Sequence, residues 1–456
     1  MMLDRTQSPK SPPGPTGLEV ASWLSHARRD TFGAFASLAR EYGDVARCPL
    51  LPGHALYLCS SPEAAKHVLQ DNHRGYKKAV TYDYLEPVVG KGLLTSHGDL
   101  WLRQRRLVAP MFHRKRVRTY LETMAESTAQ MLDDWAQLDD DDTIDVAEQM
   151  SQLTLSVAGK ILFNRDIGRD SDWIGESMLL LFRDINQRIL SLFSLPRAIP
   201  TPHNRRVQKA LDDLEDLVYG MIEERRGRAD QFDDLLSTFM LAEDEETGER
   251  MSDEEIRDEI MTFMIAGHDT TSNLLAWALY LLSKHPGTRA RLESEIDDVL
   301  EARVPDIDEV RSLDFLEQVV DETLRLYPPA WTIEREPIED DVIAGYHIPA
   351  GSIVAVGPYF VHHNPRVWEN PEGFDPDRFG PDAERPDHRY AHFPFGGGPR
   401  MCVGADFAIL EAKIILAAIT RNFRLDLVPF QKVEPEATVT LYPKDGIEMT
   451  LRPRRS

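Results

Sequence analysis

The chain has 456 residues and a formal net charge of −24, from 76 acidic and 52 basic side chains. A protein this acidic repels the phosphates of nucleic acid, which disfavours DNA or RNA as a partner. No apolar stretch reaches the roughly 18 residues that a membrane helix needs. The three cysteines, Cys48, Cys59 and Cys402, cannot form a disulfide framework. We therefore expect a cytoplasmic protein with no transmembrane anchor.

Residues 1–17 are polar and rich in proline, without the apolar core of a signal peptide, and we expect a flexible start. At 456 residues the chain is longer than most single domains. No stretch with the composition of a linker divides it. We therefore predict a single domain over residues 1–456.

Hydrophobic periodicity predicts many helices and few strands. In chain order, we predict strands at Leu56–Ser60, Asp341–Ile348, Ser352–Val356 and Val439–Leu451. We predict helices at Arg116–Trp135, Thr143–Leu162, Trp173–Leu195 and His203–Arg226, and three more that carry the motifs below. We interpret two acidic runs as exposed loops beside helices, Asp139–Asp142 and Glu243–Glu246. Periodicity alone indicates a large, mainly α-helical domain.

The first motif is Trp101-Leu-Arg-Gln-Arg105, in a segment with helical periodicity. A planar guanidinium such as that of Arg105 can donate two parallel hydrogen bonds to a carboxylate. The same segment begins a basic island, formed by Arg103, Arg105, Arg106, His113, Arg114, Lys115, Arg116 and Arg118. This island is either a solvated helix end or a docking surface for an acidic partner.

The longest helical pattern runs from Ser252 to Ser283, and Ser252 and Glu255 have the spacing of a capping box. Its middle, Ala266-Gly-His-Asp-Thr-Thr271, places an acid and two hydroxyls in a buried helix, where polar groups without partners are costly. Taken alone, the stretch also fits a Thr bonded back to its own helix and an Asp that faces water.

A third helical run, Leu313 to Tyr327, contains Glu322 and Arg325, which share one helix face. A surface ion pair of this kind would be worth under about 1 kcal/mol. A later coil supplies Arg378, whose forked guanidinium could complete a triad with them. We interpret Glu322, Arg325 and Arg378 as structural residues.

The most informative stretch is Phe395-Gly-Gly-Gly-Pro-Arg-Met-Cys-Val-Gly404. Its glycines let the backbone approach a flat partner closely. The apolar run after Gly404 predicts a helix that starts just past Cys402, and a helix N-terminus favours a thiolate over a thiol. A bound metal would stabilise the thiolate further. We interpret Cys48 and Cys59, in contrast, as core residues.

The stretch resembles the haem-binding loop of the cytochrome P450 family, whose fixed residues are matched at Phe395, Gly398, Arg400, Cys402 and Gly404. The other three motifs stand in the family's order. The resemblance implies a mainly α P450 fold with a long central helix and small β-sheets. It also implies a haem-thiolate monooxygenase that contains haem b and inserts one oxygen atom of O2 into its substrate.

The resemblance also implies a role for each matched residue. Cys402 would be the axial iron ligand, Thr270 would hydrogen-bond the bound oxygen, and Asp269 would relay protons. The residues expected to contact the cofactor are Trp101, Arg105, Ala266, Gly267, Arg335, Phe395, Gly398, Arg400 and Gly404. Glu322, Arg325 and Arg378 would support the loop that carries Cys402. His97 is better interpreted as an exposed loop residue.

The positions that line the substrate pocket in the family are apolar or aromatic in this chain, which predicts a hydrophobic substrate. The expected pocket residues are Tyr82, Tyr84, Phe263, Met264, Ala330 and Trp331, with Leu85, Val88, Val89, Leu93, Leu94 and Thr332 as further candidates. We expect a long-chain fatty acid or a carotenoid- or terpenoid-like molecule; another hydrophobic molecule such as a steroid is the alternative.

The chain contains no flavin or iron–sulfur signature, so we expect electrons from a separate ferredoxin with its reductase, or from a flavodoxin. A peroxygenase and a haem-thiolate binding protein or sensor are the alternatives to a monooxygenase. Both are disfavoured, because neither requires the acid and alcohol at Asp269 and Thr270.

Overall fold

The computed structural model describes residues 10–51, 54–139, 141–167, 172–190 and 196–454. Helices dominate this part of the chain, and none of them is long and apolar enough to span a bilayer. They are α1 (Leu18–Ala27), α2 (Thr31–Tyr42), α3 (Pro62–Lys66), α4 (Glu86–Val89), α5 (Gly98–Val108), α6 (Arg114–Val117), α7 (Leu121–Trp135), α8 (Val146–Phe163), α9 (Asp172–Leu190), α10 (Pro202–Arg225), α11 (Leu235–Leu241), α12 (Asp253–Lys284), α13 (Pro286–Val299), α14 (Ile307–Ser312), α15 (Asp314–Leu326), α16 (Pro358–His362) and α17 (Ala405–Asn422).

The strands form small sheets, which confirms the predicted mainly α class with small β-sheets. They are β1 (Val45–Leu51), β2 (His54–Cys59), β3 (Tyr76–Lys78), β4 (Thr143–Asp145), β5 (Ile333–Pro337), β6 (Asp341–Ile343), β7 (Tyr346–Ile348), β8 (Ile353–Val356), β9 (Phe423–Leu427), β10 (Pro435–Ala437), β11 (Leu441–Pro443) and β12 (Glu448–Pro453). The largest sheet has the order β1-β2-β8-β5-β3, with β2 and β8 parallel.

The described residues divide into two compact units. The first comprises residues up to 83, 330–373 and 385–402, and contains the five-stranded sheet and the β6–β7 hairpin. The second comprises residues 84–329, 374–384 and 403 onward, and contains the long helices with the β4-β12-β9 and β10-β11 sheets. The single domain over residues 1–456 stays a prediction.

Helix α12 is the longest helix and lies in the core of the second unit. The predicted capping box is confirmed, because the Ser252 side chain accepts from the Glu255 N–H and the Glu255 carboxylate accepts from the Ser252 N–H. Helix α8 packs along α12 and contributes hydroxyl groups to it: Thr154 donates to the His268 carbonyl at 3.1 Å, and Ser151 Oγ lies 2.8 Å from His268 Nε2.

Some element boundaries differ from the predictions because local turns interrupt the periodicity. The predicted helix Thr143–Leu162 begins with β4, and Asp145 then caps α8 by accepting from the Ala147 N–H at 2.9 Å. The predicted helix Arg116–Trp135 becomes regular only at Leu121. The last five residues of the predicted helix Trp173–Leu195 lie outside the described residues.

The predicted strand Asp341–Ile348 is a hairpin of two three-residue strands, β6 and β7. The turn consists of Ala344 and Gly345, which have φ values of 49° and 82°. Two successive left-handed residues are typical of the tight turns that join antiparallel strands. A turn that contains alanine lacks the usual Asn-Gly signal, so the pattern alone predicted a continuous strand.

Candidate functional site

Cys402 ends a loop of the first unit that begins at Phe395. The Cys402 N–H donates to the Phe395 carbonyl at 2.9 Å, which closes the loop on itself. Gly396 and Gly398 have φ values of 73° and 65°, which side chains with a Cβ rarely adopt. Along the chain, Gly404 then caps the predicted helix α17, whose start just past Cys402 is confirmed.

The glycines of this loop also pack tightly against the protein itself. A Cβ on Gly398 would lie 1.9 Å from the Leu69 carbonyl oxygen, and one on Gly397 would lie 2.4 Å from the Tyr390 ring. Leu69 belongs to a single π-helical turn, a feature frequent at functional sites. The Tyr390 hydroxyl donates to Gln70 Oε1 at 3.0 Å. Internal packing thus restricts these positions to glycine before any cofactor is considered.

Cys402 is exposed, whereas Cys48 and Cys59 are buried, as predicted for core residues. Burial raises the pKa of both buried thiols to about 12, so they remain protonated near neutral pH. Of the three cysteines, Cys402 is therefore the one whose sulfur a cofactor metal could reach.

A cluster of cations lies in the same unit as the Cys402 loop. Register in the five-stranded sheet places Lys78 of β3 directly opposite Arg335 of β5. Burial lowers the pKa of Lys78 well below its usual value, and the charges of Arg335 and Arg400 lower it further. Burial and Arg335 likewise lower the pKa of Arg400 to about 10. Like charges held this close favour a bound anion.

This cluster fits the haem that the resemblance implies, because haem carries two propionates and these cations could hold them. Arg335 and Arg400 were expected from the sequence, but Lys78 was not. Tyr82, expected in the substrate pocket, lies in the cluster, with its ring centroid 4.1 Å from Lys78 Nζ. Its role in substrate binding stays a prediction. A thiol open to a metal beside a set of cations is the donor chemistry that haem needs.

The centre of α12 carries the predicted oxygen-binding residues of the second unit. The Thr270 hydroxyl donates to the Ala266 carbonyl at 2.6 Å, so at rest it is bonded back to its own helix. A Cβ built on Gly267 would meet no atom within 4 Å from other parts of the described chain. There is therefore open space beside the helix at Gly267, and the oxygen-binding role of this position stays a prediction.

Asp269 is half-buried and has a hydrogen-bond partner on another segment of the chain. Its carboxylate accepts a hydrogen bond from Thr440, which follows β10, and its backbone carbonyl accepts from Asn273 at 2.8 Å. Burial raises the pKa of Asp269 to about 6, although the Thr440 bond opposes this shift. An acid with this pKa can exchange a proton near neutral pH. Sequence analysis missed Thr440, because no local pattern connects it to α12.

Trp101 and Arg105 lie four residues apart on α5, so they share one face of that helix. Both are half-buried. His97 is exposed just before the helix, as expected for a loop residue. The cofactor contacts of Trp101 and Arg105 stay predictions.

The expected pocket residues have different surroundings. Phe263 on α12 stacks on Phe112 at 5.1 Å between ring centroids, and its neighbour Met264 has no accessible surface. In the first unit, Trp331 is buried edge-on against Phe35 at 5.4 Å. Trp331 therefore supports the core of that unit. Ala330 is half-buried and Tyr84 is exposed, and the pocket roles of all these residues stay predictions.

Glu322, Arg325 and Arg378 lie together in the second unit, as the sequence predicted. Arg325 donates to both carboxylate oxygens of Glu322, at 2.6 and 2.8 Å. Arg378 Nε lies 3.4 Å from Glu322 Oε1. The Asp375 N–H also donates to Glu322 at 2.9 Å. Glu322 and Arg325 have no accessible surface, so this pair is not the weak surface ion pair of the alternative interpretation.

Part of the basic island is neutralised by acids of the same chain. Arg106 pairs with Asp244 at 2.9 Å, and Arg103 pairs with Glu255. The expectation that Glu243–Glu246 is an exposed loop is therefore wrong at Asp244, whose side chain is buried by this contact. Arg116 donates to Thr238 at 2.9 Å. The side chains of Arg114, Lys115 and Arg118 lie outside the described part of the structure.

The chain is similar to known proteins over nearly its whole length. A family model described as Cytochrome P450 matches residues 12–451. Cyclooctatin synthase of Streptomyces melanosporofaciens is 35% identical over 94% of this chain and 92% of its own length. Cyclooctat-9-en-7-ol 5-monooxygenase of the same organism is 34% identical over 85% and 84%. Pentalenene oxygenase of Streptomyces avermitilis is 32% identical over 92% of both chains.

The buried triad predicts a large loss of stability from one neutral substitution. Glu322→Gln should lower the free energy of unfolding by about 3–5 kcal/mol, because it leaves the buried charge of Arg325 without its counter-ion. Urea unfolding followed by circular dichroism measures this. Asp213→Asn on α10 is the matched control: its pair with Lys209 is exposed at both ends and should be worth under about 1 kcal/mol. Equal losses in both variants would show that burial of the Glu322–Arg325 pair does not set its contribution to stability.

The raised pKa of Asp269 predicts that replacing this acid with a neutral amide stabilises the protein in a pH-dependent way. The folded pKa of about 6 lies above the unfolded value of 3.8, so ionisation of Asp269 costs stability as the pH rises through this range. The free energy of unfolding of Asp269→Asn should therefore rise by about 1–3 kcal/mol relative to the parent as the pH goes from 4 to 6. This difference should persist at higher pH. Thermal unfolding across the pH range measures the difference. Exposed Glu254→Gln on the same helix should show no such trend.

Proposed function

We propose that this chain, which belongs to the cytochrome P450 family and is a haem-thiolate monooxygenase, oxidises a hydrophobic terpenoid. The observation that carries the proposal is similarity over nearly the whole chain to enzymes named for cyclooctatin and pentalenene, which are terpenoids. The aromatic and aliphatic side chains expected around the substrate support it, since none of them carries a charge.

The cofactor in this proposal is haem b, with Cys402 as the iron ligand. Lys78, Arg335 and Arg400 would hold the propionates, because their mutual repulsion is relieved by bound negative charge. Thiolate-bound haem supplies the reductive activation of O2 that inserts one oxygen atom into a C–H bond and releases the other as water. The protein's own contribution is to bind, orient and deliver protons.

Protons would reach the reacting oxygen through Asp269 and Thr270. Asp269 has a pKa near 6 and is held by the Thr440 hydroxyl, so it can take up and release a proton without leaving its position. The Thr270 hydroxyl is bonded to the Ala266 carbonyl and would have to rotate to donate outward. The open space beside Gly267 leaves room for that rotation.

Electrons would come from a separate ferredoxin or flavodoxin. It would dock on those residues of the basic island that acids of the same chain do not neutralise. Arg103, Arg106 and Arg116 have partners within the chain, so we assign docking to Arg114 and Lys115. A cytoplasmic location suits such a donor and stays part of the proposal.

The substrate class is tested by spectral titration of the haem-loaded protein. Pentalenene and β-carotene, which are uncharged terpenoids, should shift the haem to high spin at concentrations about tenfold lower than palmitic acid does, because burial of an uncharged apolar skeleton needs no charged partner. A response to palmitic acid alone would replace the terpenoid with a fatty acid. A response to none of the three probes would overturn the proposal.

Docking is tested by charge reversal. Arg114→Glu with Lys115→Glu should slow stopped-flow reduction by a ferredoxin about tenfold at low salt, and the difference should shrink as salt screens the charges. Haem content should not change. Lys209→Glu, which reverses an exposed charge on α10, is the matched control. Equal effects of the two reversals would refute docking at the island.

A further inference from the structure

The chain between α4 and α5 turns over helix α12 at residues 90–93, and side chains satisfy its backbone. The Lys91 N–H donates to Asp258 Oδ2 at 2.7 Å, and the Leu93 N–H donates to Glu259 Oε2 at 3.2 Å. The Lys91 carbonyl accepts from Gln104 Nε2 at 2.7 Å. These three side chains therefore supply hydrogen bonds that regular secondary structure would otherwise provide to the backbone of the turn.

The turn lies so close to α12 that only glycine fits at two positions. Gly90 has a φ of 56°, and a Cβ there would lie 1.9 Å from Asp258 Oδ1. A Cβ on Gly92 would lie 2.2 Å from Thr262 Oγ1 and 2.7 Å from the Asp258 carbonyl oxygen. The spacing of the turn from the helix is therefore fixed by contact as well as by hydrogen bonds.

The two carboxyl groups that hold the turn are buried in different ways. Asp258 is 6% exposed, and its charge is compensated by Arg257 at 2.9 Å. Glu259 has no accessible surface, and its Oε1 has no hydrogen-bond partner among the described residues. Burial raises the pKa of Glu259 to about 8, so it is mainly a neutral acid at pH 7 and accepts from Leu93 as an uncharged oxygen.

Neither carboxyl group is needed to form α12, and burying both costs free energy. What they contact is the turn. Leu93 and Leu94, both half-buried, continue from it, and Phe263 lies one helical turn beyond Glu259 on the same face of α12. All three side chains belong to the expected pocket lining. The contact therefore joins two segments that would have to be held in register around a substrate.

We propose that Asp258 and Glu259 are positioning residues that clasp residues 90–93 to α12 and thereby fix Leu93 and Leu94 relative to Phe263, which determines the carbon that is oxidised. The clasp is a property of the fold. Its role in choosing the carbon rests on the proposed function. In a monooxygenase, the position of a carbon relative to the oxidant supplies much of the specificity.

Hydrogen–deuterium exchange of the haem-loaded full chain, without substrate, tests the clasp in the peptide that spans residues 86–96. Asp258→Ala and Glu259→Leu should each raise its exchange rate about fivefold to tenfold, since each removes one acceptor. Glu259→Gln should leave the rate unchanged, because the parent side chain is already a neutral acceptor. Gly92→Ala should raise the rate through steric displacement alone. Glu254→Leu, exposed on the same helix, is the control.

Parent-like exchange in both Asp258→Ala and Glu259→Leu would overturn the clasp. So would an equal rise in peptides of α8 and α12, which would show general support of the fold. Product ratios from pentalenene then test specificity: they should change in Glu259→Leu and Gly92→Ala but not in Glu259→Gln. If exchange rises in residues 86–96 but the product ratios stay like those of the parent, the clasp stands and only its role in specificity is overturned. If the parent does not turn over pentalenene, the proposed function fails while the exchange result still decides the clasp.

Discussion

The burial of ionisable side chains along α12 is the constraint on which the second unit depends. A long helix satisfies its own backbone but not its side chains. Asp258 and Glu259 are buried, and Asp269 is half-buried. Each must find a partner on another element, and the partners are the turn at residues 90–93 and Thr440. The polar groups of α12 thus help to determine where the surrounding segments lie, because a buried polar group without a hydrogen-bond partner costs free energy.

The corresponding constraint in the first unit is a local cluster of positive charge. Lys78 and Arg335 face each other across two strands, and the nearby Arg400 adds a third cation. A sheet register that places like charges together is unfavourable unless something offsets it. The loop that ends at Cys402 belongs to the same unit, so the proposed metal ligand and the cations that would bind the haem propionates lie on one framework. This combination accounts for the fit to haem.

Because of these two constraints, the two units contribute different groups to the proposed chemistry. The first unit supplies the thiol and the cations that would hold the cofactor. The centre of α12 supplies the acid–alcohol pair, and the raised pKa of Asp269 results from the same burial that anchors it. In the proposed function, substrate choice would depend on segments such as residues 90–94, which are held by side chains and not by secondary structure. Such segments can change between relatives while the chemistry stays the same.

The sequence alone determined what depends on near neighbours: the capping box of α12, the Glu322–Arg325 pair three residues apart, and the motif around Cys402 with its following helix. These need only the spacing of a helix or a short loop. Tertiary structure alone decided the partners that lie far apart in the chain. Thr440 contacts Asp269 across 171 residues, and strand register brings Lys78 to Arg335. Side-chain periodicity records which face is buried but not what covers it, so no local pattern could have shown these contacts.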